Sequence, residues 1–200
     1  MRYLLIYPLI SILSSCASIT EQVLDRPEDW EARLQQHRQI EDWTIRARLG
    51  VQSETDGGSF DVFWQQVADA YEIRLIAPMG QGAVLINGDS NGVKISLADG
   101  RTEYSNDADE LFSSMTGLSL PVNGLQDWLR GMPVQGEEIQ YISWNEPGQL
   151  YKLEQRGWQV EMGRYKAVAG YELPHAFYLE REDRPELSVR LLVREWLPAQ

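Results

Sequence analysis

Trp43-Thr44-Ile45-Arg46-Ala47-Arg48-Leu49-Gly50-Val51 places an apolar residue at every second position and a polar or small one between. Successive side chains of a strand point to opposite faces, so this stretch reads as a strand with one dry face and one wet face. The same period of two returns downstream. Phe60, Val62 and Trp64 alternate with Ser59, Asp61 and Gln65, and Tyr71, Ile73 and Leu75 alternate with Glu72 and Arg74. Val84 and Ile86 continue it, then Val93, Ile95 and Leu97, and residues 101–105 make a short further strand. Asp56-Gly57-Gly58, residues 89–92 and Asp99-Gly100 read as turns between these runs. Ala77-Pro78-Met79-Gly80-Gln81-Gly82 interrupts the pattern as a loop.

Helical spacing appears in three places. Pro27-Glu28-Asp29-Trp30 has the acids of a helix start, and the helix is expected to run to about Ile40. Only Trp30 and Leu34 share its apolar face, so it should lie on a surface. Ala108, Leu111, Phe112 and Met115 form an i, i+3, i+4, i+7 stripe, with Asn106 or Asp107 as the cap and Gly117 as the stop. Val122, Leu125, Trp128 and Leu129 form a second stripe, stopped by Gly131 and Pro133. Strands resume at 139–144, 150–155, 158–163, 165–169, 175–180 and 187–193. Many short strands with no strand-helix-strand repeat predict a mainly β, α+β fold. Its sheet should be antiparallel and curl toward a barrel, and the two inserted helices should cover or plug it.

At the N-terminus, Arg2 precedes an apolar run over residues 3–13, and Leu13-Ser14-Ser15-Cys16 follows. A basic start, a short apolar core and small residues make a secretory signal, too short for the roughly 20 residues that span a bilayer. The small-small-Cys ending resembles the lipobox of bacterial lipoproteins, in which the cysteine is acylated and the chain is cut before it. The competing reading is an ordinary signal that happens to contain a cysteine. Cys16 is the chain's single cysteine, so no internal disulfide is expected. The expected organisation is a cleaved signal over 1–15, lipidated Cys16 with a tether over 16–27, and one domain over 28–200.

Apolar residues are 43% and charged residues 24% of the 200, as in an ordinary globular body. Cutting before Cys16 removes Arg2 and no acid, leaving 17 basic against 30 acidic residues, a charge of −13. This argues against nucleic acid as a partner, which needs a basic footprint. It also argues against a polybasic membrane patch, so lipid contact is expected from the anchor and from apolar groups. There is no G-x-S-x-G elbow, P-loop or dinucleotide fingerprint. His37 and His175 stand alone, without metal-ligand spacing. Glu137-Glu138 and Glu180-Arg181-Glu182-Asp183 read as solvated turns and strand ends. No cofactor, metal or catalytic group is expected. What stands out is aromatic content: Trp30, Trp64, Trp128, Trp158 and Trp196 fall on apolar faces of different elements. Such a set can simply fill a core, or it can line a cavity for a flexible apolar ligand.

Several segments in order carry a family resemblance. After the lipobox and the Trp30 helix come Phe63-Trp64-Gln65-Gln66, Tyr71-Glu72-Ile73-Arg74-Leu75 and Pro78-Met79-Gly80. Then follow Asp107-Ala108-Asp109-Glu110-Leu111-Phe112, Met115-Thr116-Gly117 and Leu120-Pro121-Val122. The most specific segment is Leu125-Gln126-Asp127-Trp128-Leu129-Arg130-Gly131-Met132-Pro133; Gly157-Trp158-Gln159-Val160, Leu173-Pro174 and Trp196 complete the series. The chain resembles the LolB family of outer-membrane lipoprotein receptors over nearly its whole mature length. The resemblance implies an incomplete barrel with a helical lid over an apolar cavity. It implies a monomer that is not an enzyme. Such a protein takes acylated lipoprotein cargo from a LolA-like periplasmic carrier and releases the acyl chains into outer-membrane lipid. Acyl-cavity residues are then expected among the five tryptophans above with Leu111, Phe112 and Met115, and Pro78, Met79 and Gly80 form a membrane-insertion loop. The family often has Leu where this chain has Met79. Ala17 after Cys16, rather than Asp, is consistent with export to the outer membrane, on its periplasmic side. Two other readings compete: a structural or scaffold lipoprotein of an envelope complex, and a lipid-active hydrolase, which lacks a nucleophile-base pair.

Overall fold

Residues 25–54, 57–80 and 82–198 are described by the computed structural model; the expected signal, Cys16 and most of the tether lie outside them. Helix α1 (Trp30–Arg38) leads into β1 (Trp43–Gln52), β2 (Gly57–Val67), β3 (Ala70–Ile76), β4 (Ala83–Asp89), β5 (Gly92–Leu97) and β6 (Thr102–Ser105). Helices α2 (Ala108–Thr116) and α3 (Val122–Trp128) follow. The chain then forms β7 (Ile139–Trp144), β8 (Leu150–Gln155), β9 (Trp158–Gly163), β10 (Lys166–Val168), β11 (Tyr171–Leu173), β12 (Ala176–Arg181) and β13 (Arg184–Pro198).

Eleven strands make one antiparallel sheet in the order β6-β5-β4-β3-β2-β1-β13-β12-β9-β8-β7, while β10 and β11 pair apart from it. The order ends at β6 and β7, so the barrel is incomplete. Its inner face is the apolar phase of each strand: Ile45, Leu49, Trp64, Ile73, Ile86, Ile95, Val160, Leu179 and Val189 are all buried. Among the described residues, every member of the core cluster lies between Trp30 and Trp196.

Two local departures from the period of two have physical causes. Arg46 faces Glu195 while Ala47 faces Val193, so Arg194 is an extra residue in β13. Such a bulge increases local twist and bend, as a curling sheet requires. It also resets the phase: Val193 and Trp196 are both buried. This is why the last strand runs on past the end at 193 expected from alternation alone. Gly57 and Gly58, expected in a turn, are instead paired with Gln52 and Val51. A Cβ on Gly58 would lie 2.7 Å from the Phe60 ring, so the strand has no room for a side chain there. The expected strand at 165–169 contracts to β10, whose partner β11 carries no alternation long enough to read. Helix α1 stops at Arg38 rather than near Ile40, closing with a tight bond from the Ile40 N–H to the His37 carbonyl.

Candidate functional site: an apolar interior beneath two helices

The connection from β6 to β7 joins the two free edges of the sheet, and α2 and α3 lie within it. Asp107 caps α2 by accepting the backbone N–H groups of Asp109 and Glu110 at 2.9 and 3.1 Å. Gly117 ends the helix in the left-handed region, φ 74°. The next helix begins after Pro121, which has no side chain able to cap. Asp109 supplies the missing acceptor from α2: its Oδ1 takes the Asn123 N–H at 3.0 Å. Burial pushes the Asp109 carboxyl up from its ordinary value, against the lowering effects of the Asn123 bond and the Arg156 charge. Stability tied to a raised carboxyl pKa is fully present below the unfolded value of 3.8 and is lost as pH rises through the native one. Asp109→Asn keeps the oxygen and sheds the buried charge, so it is expected to match the parent below pH 3.8, to be more stable than the parent at pH 7, and to lack that pH dependence. Asp109→Ala uncaps α3 and should cost about 1 kcal/mol in urea unfolding.

Apolar residues of this connection close over the sheet. Leu111 and Phe112 are buried on α2, and Val122, Leu125, Trp128 and Leu129 on α3 and its end; Met115 is half-buried. A Cβ on Gly124 would lie 2.5 Å from the Trp128 ring, so the glycine makes the space that the indole fills. Trp128 is then fixed by its polar tip. Its Nε1 donates to Oε1 of Gln155 on β8 at 3.2 Å. The same oxygen accepts the Val134 N–H at 2.8 Å, and Nε2 donates to the Val134 and Glu137 carbonyls at 3.0 and 3.3 Å. One wholly buried amide thus pins both α3 and the segment leading to β7. Arg130, just past α3, donates to Asp127 at 2.5 Å and to the Ile40 carbonyl at 3.1 Å, tying the cover to the end of α1.

The sheet side of the interior is aromatic. Trp64 lies 5.4 Å from Trp43 and 6.2 Å from Tyr71 between ring centroids, and Trp43 lies 5.3 Å from Trp196. Trp64 donates to Gln66 at 3.2 Å, and Trp196 to the Pro174 carbonyl at 3.1 Å. The indole N–H groups of Trp43 and Trp144 are buried and have no hydrogen-bond partner among the described residues. Trp30 sits apart from the Trp43–Trp64–Trp196 row, with its ring 5.5 Å from Trp144, and it borders a cleft of about 270 Å³ with Tyr165 and Arg33. Trp158 borders a groove of about 370 Å³ between α2 and the β12–β13 hairpin, with Arg181 stacked on its ring at 5.5 Å. Trp43 and Gln155 belong to this interior and were not among the expected site residues. Trp43 was in phase with Ile45, which is signal enough; Gln155 is polar, and nothing in the sequence marks it as inward.

Met79 stands at the far extreme of exposure, at 95%. The Ala77 N–H donates to the Gly82 carbonyl at 2.9 Å, so the chain doubles back at the base of the loop. A single tight turn over Pro78–Gly80 holds Met79 at φ 57°, a region a residue with a side chain rarely adopts. That conformation costs the backbone some stability and leaves the thioether exposed.

The sequence profile described as "Outer membrane lipoprotein LolB" matches residues 41–196. The chain belongs to the LolB family. It is 33% identical over 204 residues to the outer-membrane lipoprotein LolB of Ectopseudomonas mendocina, covering 100% of this chain and 98% of that one. It is 31% identical to the LolB of Alkalilimnicola ehrlichii, covering 92% and 91%. In fold it is similar to a LolA superfamily protein from Nitrosomonas europaea, at TM-score 0.54 and 7% identity over 85% of this chain and 93% of that one. A DUF1329 family protein from Desulfovibrio piger gives 0.52 and 12% identity over 84% and 90%. At such identities the likeness concerns the fold alone. As a LolB-family member, the chain is a lipid-anchored lipoprotein of the outer membrane that acts in lipoprotein localisation.

Proposed function

We infer that this LolB-family chain receives acylated lipoproteins from a soluble periplasmic carrier of LolA type and passes their acyl chains into outer-membrane lipid, as a monomer and without catalysis. The observation that carries the reading is the cover: two amphipathic helices join the free edges of the sheet and press apolar residues onto its apolar inner face. A closed barrel could not open along that seam, and a scaffold has no use for a detachable lid. In the closed arrangement the interior residues pack on one another. Cargo acyl chains therefore enter when α2 and α3 lift, and they replace helix side chains as the partners of the sheet. Transfer needs only a difference in affinity, because each methylene moved between apolar surroundings changes little in free energy. Cys16 carries the acyl anchor, and Met79 meets the bilayer.

Trp64 and Trp128, one from the sheet and one from the cover, are the residues expected to touch the acyl chains. A brominated fatty acid should quench a large part of the indole emission in saturable fashion, and Trp128→Phe should remove part of that quenching while leaving the domain folded. Full emission at saturating ligand, together with failure to accept cargo from loaded carrier, would favour the scaffold reading instead.

A further inference from the structure

We propose that the outer face of β13, β1, β2 and β3 is a docking surface for anionic phospholipid headgroups, which sets the pose in which the Met79 loop meets the bilayer. The inference rests on the membrane-transfer reading and adds a second contact to it. The whole chain is acidic, with 18 basic against 30 acidic residues. That charge is not evenly spread. Where these four strands pair, the outward phase carries Arg46, Arg48, Arg74, Arg190 and Arg194, against Asp61, Glu72 and Glu195 alone. Linear spacing hides the cluster, because antiparallel register brings residues 46, 48, 74, 190 and 194 together from three strands.

The pairing within the face leaves it positive. Asp61 is shared by two guanidinium groups, with Arg48 at 3.2 Å and Arg194 at 3.3 Å. Arg46 reaches Glu195 at 3.3 Å, and Arg74 reaches Glu72 at 2.5 Å. Arg190 lies over the Tyr178 ring, 5.2 Å from its centroid. Arg46 and Arg194 are 64% exposed, so their forks can turn to a phosphate at little cost. The bulge at Arg194 is what adds the extra arginine beside Asp61. Exposed apolar residues lie in the same rows. Leu192, Arg48, Asp61 and Ile76 follow one another across β13, β1, β2 and β3. Leu192 and Ile76 are 43% and 48% exposed. Ile76 ends β3 just before Ala77 and the Met79 turn, so the basic rows run directly into the loop. Arginine beside exposed aliphatic groups fits a headgroup layer over acyl chains, whereas a protein partner would need a matched acidic surface.

The test uses residues 16–200 with Cys16→Ala, which removes the acyl anchor and keeps every described core residue. Its co-sedimentation with phosphatidylcholine vesicles is compared with vesicles that also contain phosphatidylglycerol. Preference for the anionic vesicles is expected, weakening with salt and insensitive to inorganic phosphate at matched ionic strength. Each arginine near such a surface should contribute about fivefold. Arg46→Gln, Arg48→Gln and Arg194→Gln combined should therefore abolish most of the preference, at least tenfold, with an unchanged melting temperature. Asp61→Asn should strengthen it. Met79→Glu should weaken binding to both vesicle types, so loss of that effect alone would strike the loop reading and not this one. Equal binding to both vesicle types, displacement by free phosphate, or a triple variant that keeps the preference but accepts cargo poorly from the carrier would overturn the lipid assignment.

Discussion

Gln155→Leu is expected to destabilise the domain by about 2–4 kcal/mol and to loosen the cover before the sheet. Leucine matches glutamine in size, so the loss is one of hydrogen bonding rather than volume. The substitution strands the Trp128 indole N–H, the Val134 N–H and the Val134 carbonyl, which have no other partner among the described residues. A buried polar group left unpaired costs about 1–3 kcal/mol, and the connector near Glu137 is exposed enough to recover part of that from water. Gln155→Glu should be worse at neutral pH, because it keeps the acceptors, loses both donations and buries a charge. Trp128→Phe is the milder control: it removes one donor while Gln155 keeps Val134 and Glu137. Urea unfolding reads the total, and amide exchange over α3 and residues 134–137 reads where it falls. A loss under about 1 kcal/mol with unaltered exchange over α3 would mean that Gln155 does not hold the cover.

The same residue marks the limit of what could be read from the chain. The sheet was legible because its inner face is long and regular: Trp43 to Val51 and Tyr71 to Leu75 allow no other period. The cover was legible too, since Leu111, Phe112, Leu125 and Trp128 repeat at helical spacing between strands. Alternation reports which face a residue occupies, but not which strand lies beside it. The pairing of β1 with β13, the bulge at Arg194 and the arginine rows that result were therefore hidden. Glycine was ambiguous for a related reason. Gly57 and Gly58 carry the signal of a turn, yet the Phe60 ring over Gly58 makes a strand need the same residue. Polar residues directed inward were the hardest. Gln155 and Gln66 are buried because indole N–H groups require acceptors there and stray backbone groups require partners, and those partners lie up to 27 positions away in sequence.

Met79→Glu is expected to accept cargo from the carrier as the parent does and to deliver it to liposomes roughly 10- to 100-fold less efficiently. The side chain is outside the core, so neither the interior nor the cover is disturbed. Full burial of a methionine in an apolar medium is worth about 1.5–3 kcal/mol, and tenfold corresponds to about 1.4 kcal/mol. A carboxylate forfeits that gain and opposes entry besides. The comparison is clean because the backbone imposes the same left-handed conformation, φ 57°, on Met, Leu and Glu alike. Met79→Leu should therefore deliver normally, since it has an apolar side chain of similar size on the same turn. Met79→Gly separates stability from function most sharply. Glycine relieves the positive φ, which costs a side-chain-bearing residue about 1 kcal/mol, so the domain should be slightly more stable while delivering poorly. Acceptance and delivery have to be followed separately, with carrier-loaded cargo in one assay and vesicles in the other. Normal delivery by Met79→Glu would remove the loop from the transfer step. Equal loss of acceptance and delivery would place Met79 in contact with the carrier rather than the bilayer.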